Sequence, residues 1–308
     1  VHTPPPPFKP LRRRTLCLLL GLGAVPLLAR SASKELRVIT AADPNAQRQI
    51  LQALRSRYPA LAAESDPAAW DTRKGTGPVV ALGPAALRRA LSADLHAPLV
   101  SVLTSSQAYR RLVAGAPREP TTTAIYADAS PGAQLQLIAA LFERKVTVGV
   151  LLSDATAYLE KSLRQAAQQF GLEILVIKAD PSQDPARALN GLAGAQVLLA
   201  VPDSTLYTPD TLRSVLESTY RRGMPVVGFS AATVAAGTLA SAYPDVDDVV
   251  ADLAELIDGL ASGNEALPEP RFPRYWRVAI NENVARSLGI VITDKVRALG
   301  VHPPGRSG

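Results

Sequence analysis

KVTVGVLLSD (145–154), VLLAVPDS (197–204) and PVVGFS (225–230) decide how this chain is read. Each is a short run rich in Val or Leu that ends in small polar residues. Runs of this length and composition read as strands buried on both faces, and the amphipathic stretches between them as helices. Strand and helix in alternation build a parallel sheet covered on both sides. Ligands bind such sheets in the crevice at the carboxyl ends of the strands. Here those ends carry Ser153, Asp154, Asp203, Ser204, Phe229 and Ser230.

The same alternation runs upstream. ELRVIT (35–40), PVVALG (78–83), APLVSVLTSS (97–106) and TTTAIYADAS (121–130) read as strands, with residues 59–77 as a loop. Asp43-Pro44 and Pro84 open helices, and Ser105 caps one that runs through Arg111. Downstream come helices 131–143 and 155–170, strand 172–180, a helix near 208–222 and strand 238–243. A long helix after Asp245, strand YWRVAI (275–280) and a short helix capped by Asn281 complete the series. Two βα series of similar size predict two α/β lobes, and 308 residues suffice for both. The first series contributes Thr40, Gly83, Thr104 and Ser105 as strand-end candidates.

Residues 1–33 differ from the rest. Arg12, Arg13 and Arg14 precede the apolar run TLCLLLGLGAVPLLA (15–29), and Ser31-Ala32-Ser33 follow. This is the pattern of a secretory signal peptide, with its exit at Ser31 or Ser33. The run is short, and broken by Gly21, Gly23 and Pro26, for a membrane span; an uncleaved anchor is the alternative. Arg13-Arg14 leaves both Sec and twin-arginine export open. The leader holds five of the 33 basic residues and none of the 27 acidic ones, which leaves 28 against 27. A mature chain this close to neutral has no electrostatic footprint for nucleic acid. Cys17, the sole cysteine, leaves with the leader, which suits a periplasmic domain with an ample core.

Little catalytic chemistry is visible. His96 is the only histidine in the interior of the chain and reads as a strand-start residue. There is no G-x-S-x-G, H-E-x-x-H, P-loop or G-x-G-x-x-G pattern. Asp245, Asp247 and Asp248 suit the positive end of the helix they precede. No catalytic residue, metal or cofactor is therefore assigned.

Several blocks together resemble a known family. AIYADASPGAQLQLIAALF (124–142), VTVGVLLS (146–153), VLLAVPDS (197–204), YRRGMPVVGFSAATVAAGTLAS (220–241) and RVAINENVARSLGI (277–290) are similar to substrate-binding proteins of ABC transporters. The group that includes tryptophan- and other aromatic amino-acid-binding members is the nearest type. Between ELRVIT and PVVALG the chain departs from that pattern, with Ala41-Ala42-Asp43-Pro44 and a shortened segment.

The resemblance implies a type I periplasmic binding fold: two Rossmann-like lobes with parallel sheets, joined by three crossovers and closing on ligand. The implied limits are 34–126 with about 243–274 for the N-terminal lobe, 127–242 with about 275–300 for the C-terminal lobe, and 301–308 as a flexible tail. Tyr126 and Asp128 fall at the first crossover, Tyr126 as hinge packing or as a contact. Asp203 accepts from a ligand amine or hydroxyl, or caps the next turn. Ser153 and Asp154 present helix N–H groups to a carboxylate, or cap the helix. The implied partners are a small-molecule ligand, such as an amino acid, and ABC permease subunits; the implied form is a periplasmic monomer. An orphan binding module serving a sensor or outer-membrane system, or an exported α/β enzyme, are the other readings.

Overall fold

Leu36, Val38, Val80, Leu82, Val100 and Val102 form one apolar face, and Ile39, Val79, Ala81, Leu99 and Ala124 the opposite one. Neighbouring residues alternate between two cores because a strand's side chains alternate faces. The strands are β1 (Arg37–Ile39), β2 (Ala62–Glu64), β3 (Val79–Leu82), β4 (Leu99–Val102) and β5 (Thr122–Ala124). They form a wholly parallel sheet in the order β2-β1-β3-β4-β5. The computed structural model describes residues 36–40, 45–65, 77–93, 95, 97–116, 121–261 and 267–304. The leader, the Asp43-Pro44 helix start and His96 lie outside the described residues.

α2 (Pro84–Ser92) and α3 (Ser106–Ala114) cover one face of this sheet through Leu87 and Tyr109. α1 (Asn45–Arg57) covers the other face. β2 falls inside the stretch read as loop. Its sequence, AAE, is too short and polar to signal a strand, and it forms because it pairs with β1.

The second sheet repeats the plan. β6 (Thr147–Leu152), β7 (Glu173–Lys178), β8 (Val197–Leu199), β9 (Val226–Val227), β10 (Ala240–Tyr243) and β11 (Arg277–Ile280) lie in the order β11-β10-β9-β8-β6-β7. α4 (Pro131–Phe142) and α5 (Glu160–Gln169) pack on one face against Val148, Val150 and Leu152. α6 (Pro185–Ala188) and α7 (Pro209–Arg221) cover the other against Leu151 and Leu198. α8 (Ala231–Ala235) lies between β9 and β10.

The expected parallel sheets are present, with one antiparallel addition: β11 runs antiparallel to β10. The reason lies in the route of the chain. α9 (Val246–Ala261) follows β10 yet packs on the first sheet through Val249, Leu253, Leu256 and Ile257. The returning segment then pairs Arg271 with Ile125, at the carboxyl end of β5. It enters the second sheet from the strands' carboxyl ends and can only run backwards. The chain thus passes between the sheets three times, after β5, before α9 and before β11.

Ion pairs brace the two later passages. Asp252 of α9 is fully buried and takes two hydrogen bonds from the Arg271 guanidinium, at 2.5 and 2.8 Å. Asp248, also fully buried, takes two from Arg277 of β11, at 2.7 and 2.8 Å. The hydrogen bonds to Asp248 hold the Arg277 guanidinium above its ordinary pKa. α10 (Glu282–Ser287) is capped by Asn281, and α11 (Asp294–Arg297) by Thr293. Val301, expected to begin a flexible tail, instead exchanges two backbone hydrogen bonds with Trp276 at 2.9 Å. Among the described residues no helix is long and apolar enough to cross a membrane.

Candidate functional site

In a sheet of order 2-1-3-4-5, connections leave strands 1 and 3 in opposite directions, opening a crevice beyond their carboxyl ends. Both sheets have this order. In the second sheet the crevice lies between β6 and β8, followed by Ser153 and Asp203 respectively. Their side chains meet there: Ser153 Oγ donates to Asp203 Oδ2 at 2.6 Å, and Thr156 Oγ1 donates to the same oxygen at 2.8 Å.

The first sheet delivers α3 to this point. Ser105 caps α3 by accepting from Ala108 N, as the sequence predicts. The preceding Leu103 holds a left-handed φ of 57°, a conformation uncommon for a side chain of its size. Gln107, 3% exposed, then reaches across to the second sheet. Its Nε2 donates to Asp203 Oδ1 at 3.0 Å, and its Oε1 accepts from Ser204 N and Oγ, both at 3.1 Å. A second bridge lies beside it. Tyr158 Oη donates to Ser106 Oγ at 2.8 Å, and Ser106 Oγ donates to Asp128 Oδ2 at 2.6 Å. The Arg110 guanidinium lies 4.3 Å from the centre of the Tyr158 ring.

The two carboxylates of this site differ. Burial alone would raise Asp203, yet hydrogen bonds from Ser153, Thr205 and Thr156 outweigh it and hold the carboxyl below its ordinary 3.8. Thr205 N and Oγ1 and Leu206 N also donate to Oδ1. Asp203 is therefore saturated by this chain's own donors, and its acceptance from a ligand does not fit this geometry. For Asp128, 4% exposed, burial dominates and raises the pKa despite its bonds from Ser106 N and Oγ.

Beside the bridges lies a cavity of about 510 Å³, open to solvent and lined by both lobes. Among the predicted residues, Ser105, Asp128, Asp203, Ser204, Phe229 and Ser230 line it. Phe229 also packs on Tyr207, ring centres 6.1 Å apart, and Ser230 caps α8 through Thr233. The remaining candidates lie elsewhere. Asp154 is exposed and paired with Lys178 at 2.6 Å, because the chain turns outward after Ser153. Ser153 is buried under Asp203 rather than on the cavity wall. The Thr40 backbone N–H donates to the Glu64 carbonyl at 2.9 Å, and its hydroxyl faces the same carbonyl, because β2 lies beside it. The Thr104 hydroxyl bonds to Ser101 and the Val102 carbonyl within its own loop. Gly83, with φ 86°, caps α2 behind Pro84. Tyr126 packs between Tyr109 and Phe272, with ring centres 5.7 and 5.2 Å away, and its N–H donates to Arg271. Its ring is engaged in this packing and does not line the cavity.

Gln107, Tyr158, Tyr207, Arg88 and Arg111 escaped the sequence reading. A helix N-terminus beside a strand end was the one available signal for Gln107; its partner lies 96 residues away.

This architecture has solved counterparts. An ABC domain in complex with L-Trp from Streptococcus pneumonia is 18% identical, with a TM-score of 0.56, covering 85% of this chain and 96% of its own. A conserved domain protein from Vibrio cholerae is 20% identical, with a TM-score of 0.56 over 86% and 97%. A ligand-free, open substrate-binding protein with adhesive properties from Clostridium difficile is 15% identical, with a TM-score of 0.62 over 86% and 97%. The chain has the type I periplasmic binding fold. No family model and no curated protein matches the sequence. In this binding-protein fold the bridged cleft lies between two lobes, each built on one of the sheets.

Proposed function

We propose that the protein is an exported solute-binding protein that captures a small organic molecule between its lobes and delivers it to an ABC importer. The observation that carries this reading is the cavity of 510 Å³ at the carboxyl ends of both sheets, lined by residues of both lobes. Its size is that of metabolite sites, which occupy roughly 300–1,000 Å³. The lobes comprise 34–126 with 243–274, and 127–242 with 275–300. The crossovers at 125–130, 243–246 and 267–276 serve as the hinge. Ligand that touches both walls favours the closed form over the open one, and the permease reads that difference.

The leader supports export to the periplasm, and the protein acts as a monomer. A binding role suits the wall better than catalysis: Asp203 is saturated, and Asp128 is bonded to Ser106. Screening the purified protein against amino acids, organic acids and polyols tests the proposal. A bound metabolite raises the melting temperature and lowers the radius of gyration in solution scattering. Absence of both effects across the screen removes the proposal.

A further inference from the structure

Arg88 of α2 and Arg111 of α3 line the same cavity. Among the described residues neither guanidinium has an ion-pair or hydrogen-bond partner. Arg110, their neighbour on α3, is by contrast engaged, stacked on Tyr158. On the opposite wall stands Tyr207, 8% exposed, whose buried hydroxyl has no hydrogen-bond partner. Its ring, packed on Phe229, gives that wall an aromatic surface.

The wall offers nothing equivalent to a cation. Its carboxylates are Asp128 and Asp203. Asp203 receives six hydrogen bonds from this chain, and Asp128 is almost wholly buried beneath Ser106. The two guanidiniums therefore line the cavity with no free carboxylate among its lining residues. Phe229 and Leu103 add apolar surface between them.

We infer that the ligand is an organic anion without an amine: a carboxylate held by Arg88 and Arg111, and an apolar body against Phe229 and the Tyr207 ring. Guanidinium forks match carboxylate oxygens in pairs, which is why arginine recognises this group. This inference rests on the cleft reading above and narrows its ligand class.

Calorimetric titration tests it with probes that differ in charge: phenylpyruvate, L-phenylalanine and phenethylamine share a phenyl body, and succinate and myo-inositol add a diacid and a neutral polyol. Phenylpyruvate or succinate binds, the amine and the polyol do not, and added salt weakens binding. Arg88→Gln and Arg111→Gln each weaken the acid by about tenfold or more, as expected for charge-assisted bonds. Both side chains are exposed and have no bonding partner among the described residues, so both variants keep the wild-type melting temperature. Arg144→Gln, an exposed cation at the far end of the second lobe, leaves affinity unchanged. Binding of phenylalanine, the amine or the polyol in place of the acids overturns the inference and leaves the cleft reading intact. So does an acid bound equally well by both variants. Silence from every probe also overturns it, and the wider metabolite screen then decides the cleft reading separately.

Discussion

Replacing Gln107 with Leu separates the bridge between the lobes from the fold of either one. The carboxamide makes three hydrogen bonds, all to the second lobe: one to Asp203 and two to Ser204. A net hydrogen bond contributes about 0.5–1.5 kcal/mol, and one to an ionised carboxylate lies at or above the top of that range. Together they amount to about 3 kcal/mol, or about a hundredfold in the balance between bridged and open cleft. Leucine is similar in size and keeps the packing of α3. Asp203 keeps its bonds from Ser153, Thr156, Thr205 and Leu206, so the second lobe stays folded. The expected outcome is a larger radius of gyration in solution scattering, with circular dichroism unchanged. Spin labels on the two lobes, read by pulsed dipolar spectroscopy, move apart. Wild-type scattering and label distances in Gln107→Leu would refute the assignment of Gln107 as the lobe bridge.

Three further outcomes follow from the same geometry. Asp252→Ala strands the Arg271 guanidinium in a partly buried site and lowers stability by about 3–5 kcal/mol in urea titration; a loss below about 1 kcal/mol would class the pair with exposed ion pairs. Gly228→Ala places a Cβ 2.1 Å from Thr233 Oγ1, disturbs the Ser230–Thr233 capping box, and lowers the melting temperature; an unchanged temperature contradicts the crowding. The Asp203 pKa is lowered on folding, so its contribution is present above the unfolded value and lost as pH falls through the folded one. Asp128 is raised, so its contribution has the opposite sign: it is present below the unfolded value and lost as pH rises through the folded one. Asp203→Asn should lower the melting temperature at neutral pH and flatten its fall in acid; parallel pH profiles for variant and wild type would show that Asp203 does not set that fall.

The strands that the sequence announces most clearly are those whose neighbours bury them on both faces. Val148, Val150 and Leu152 enter one core and Leu151 another, so the whole run is apolar and stands out. β2 was illegible because AAE has no such pattern and owes its form to pairing with β1. The direction of β11 was equally hidden: RVAI fits either sense, and only the passage of α9 to the first lobe fixes where the strand begins. Cap residues were readable because Ser105 and Asn281 act within three residues of themselves.

Local chemistry by itself determined the two βα series, the caps, the near balance of charge over residues 34–308 and the strand ends that carry polar residues. Those features depend on periodicity and on neighbours close in the chain. Tertiary structure alone decided how the strand-end residues are used. It turned Asp154 outward, saturated Asp203 with donors of the chain itself, and set Gln107 across the cleft from Ser204, 97 residues away. It also placed Arg88 and Arg111 on the cavity wall, without partners among the described residues. Whether a polar side chain is spent on its own protein or free for a ligand depends on groups distant in sequence. No local pattern encodes that.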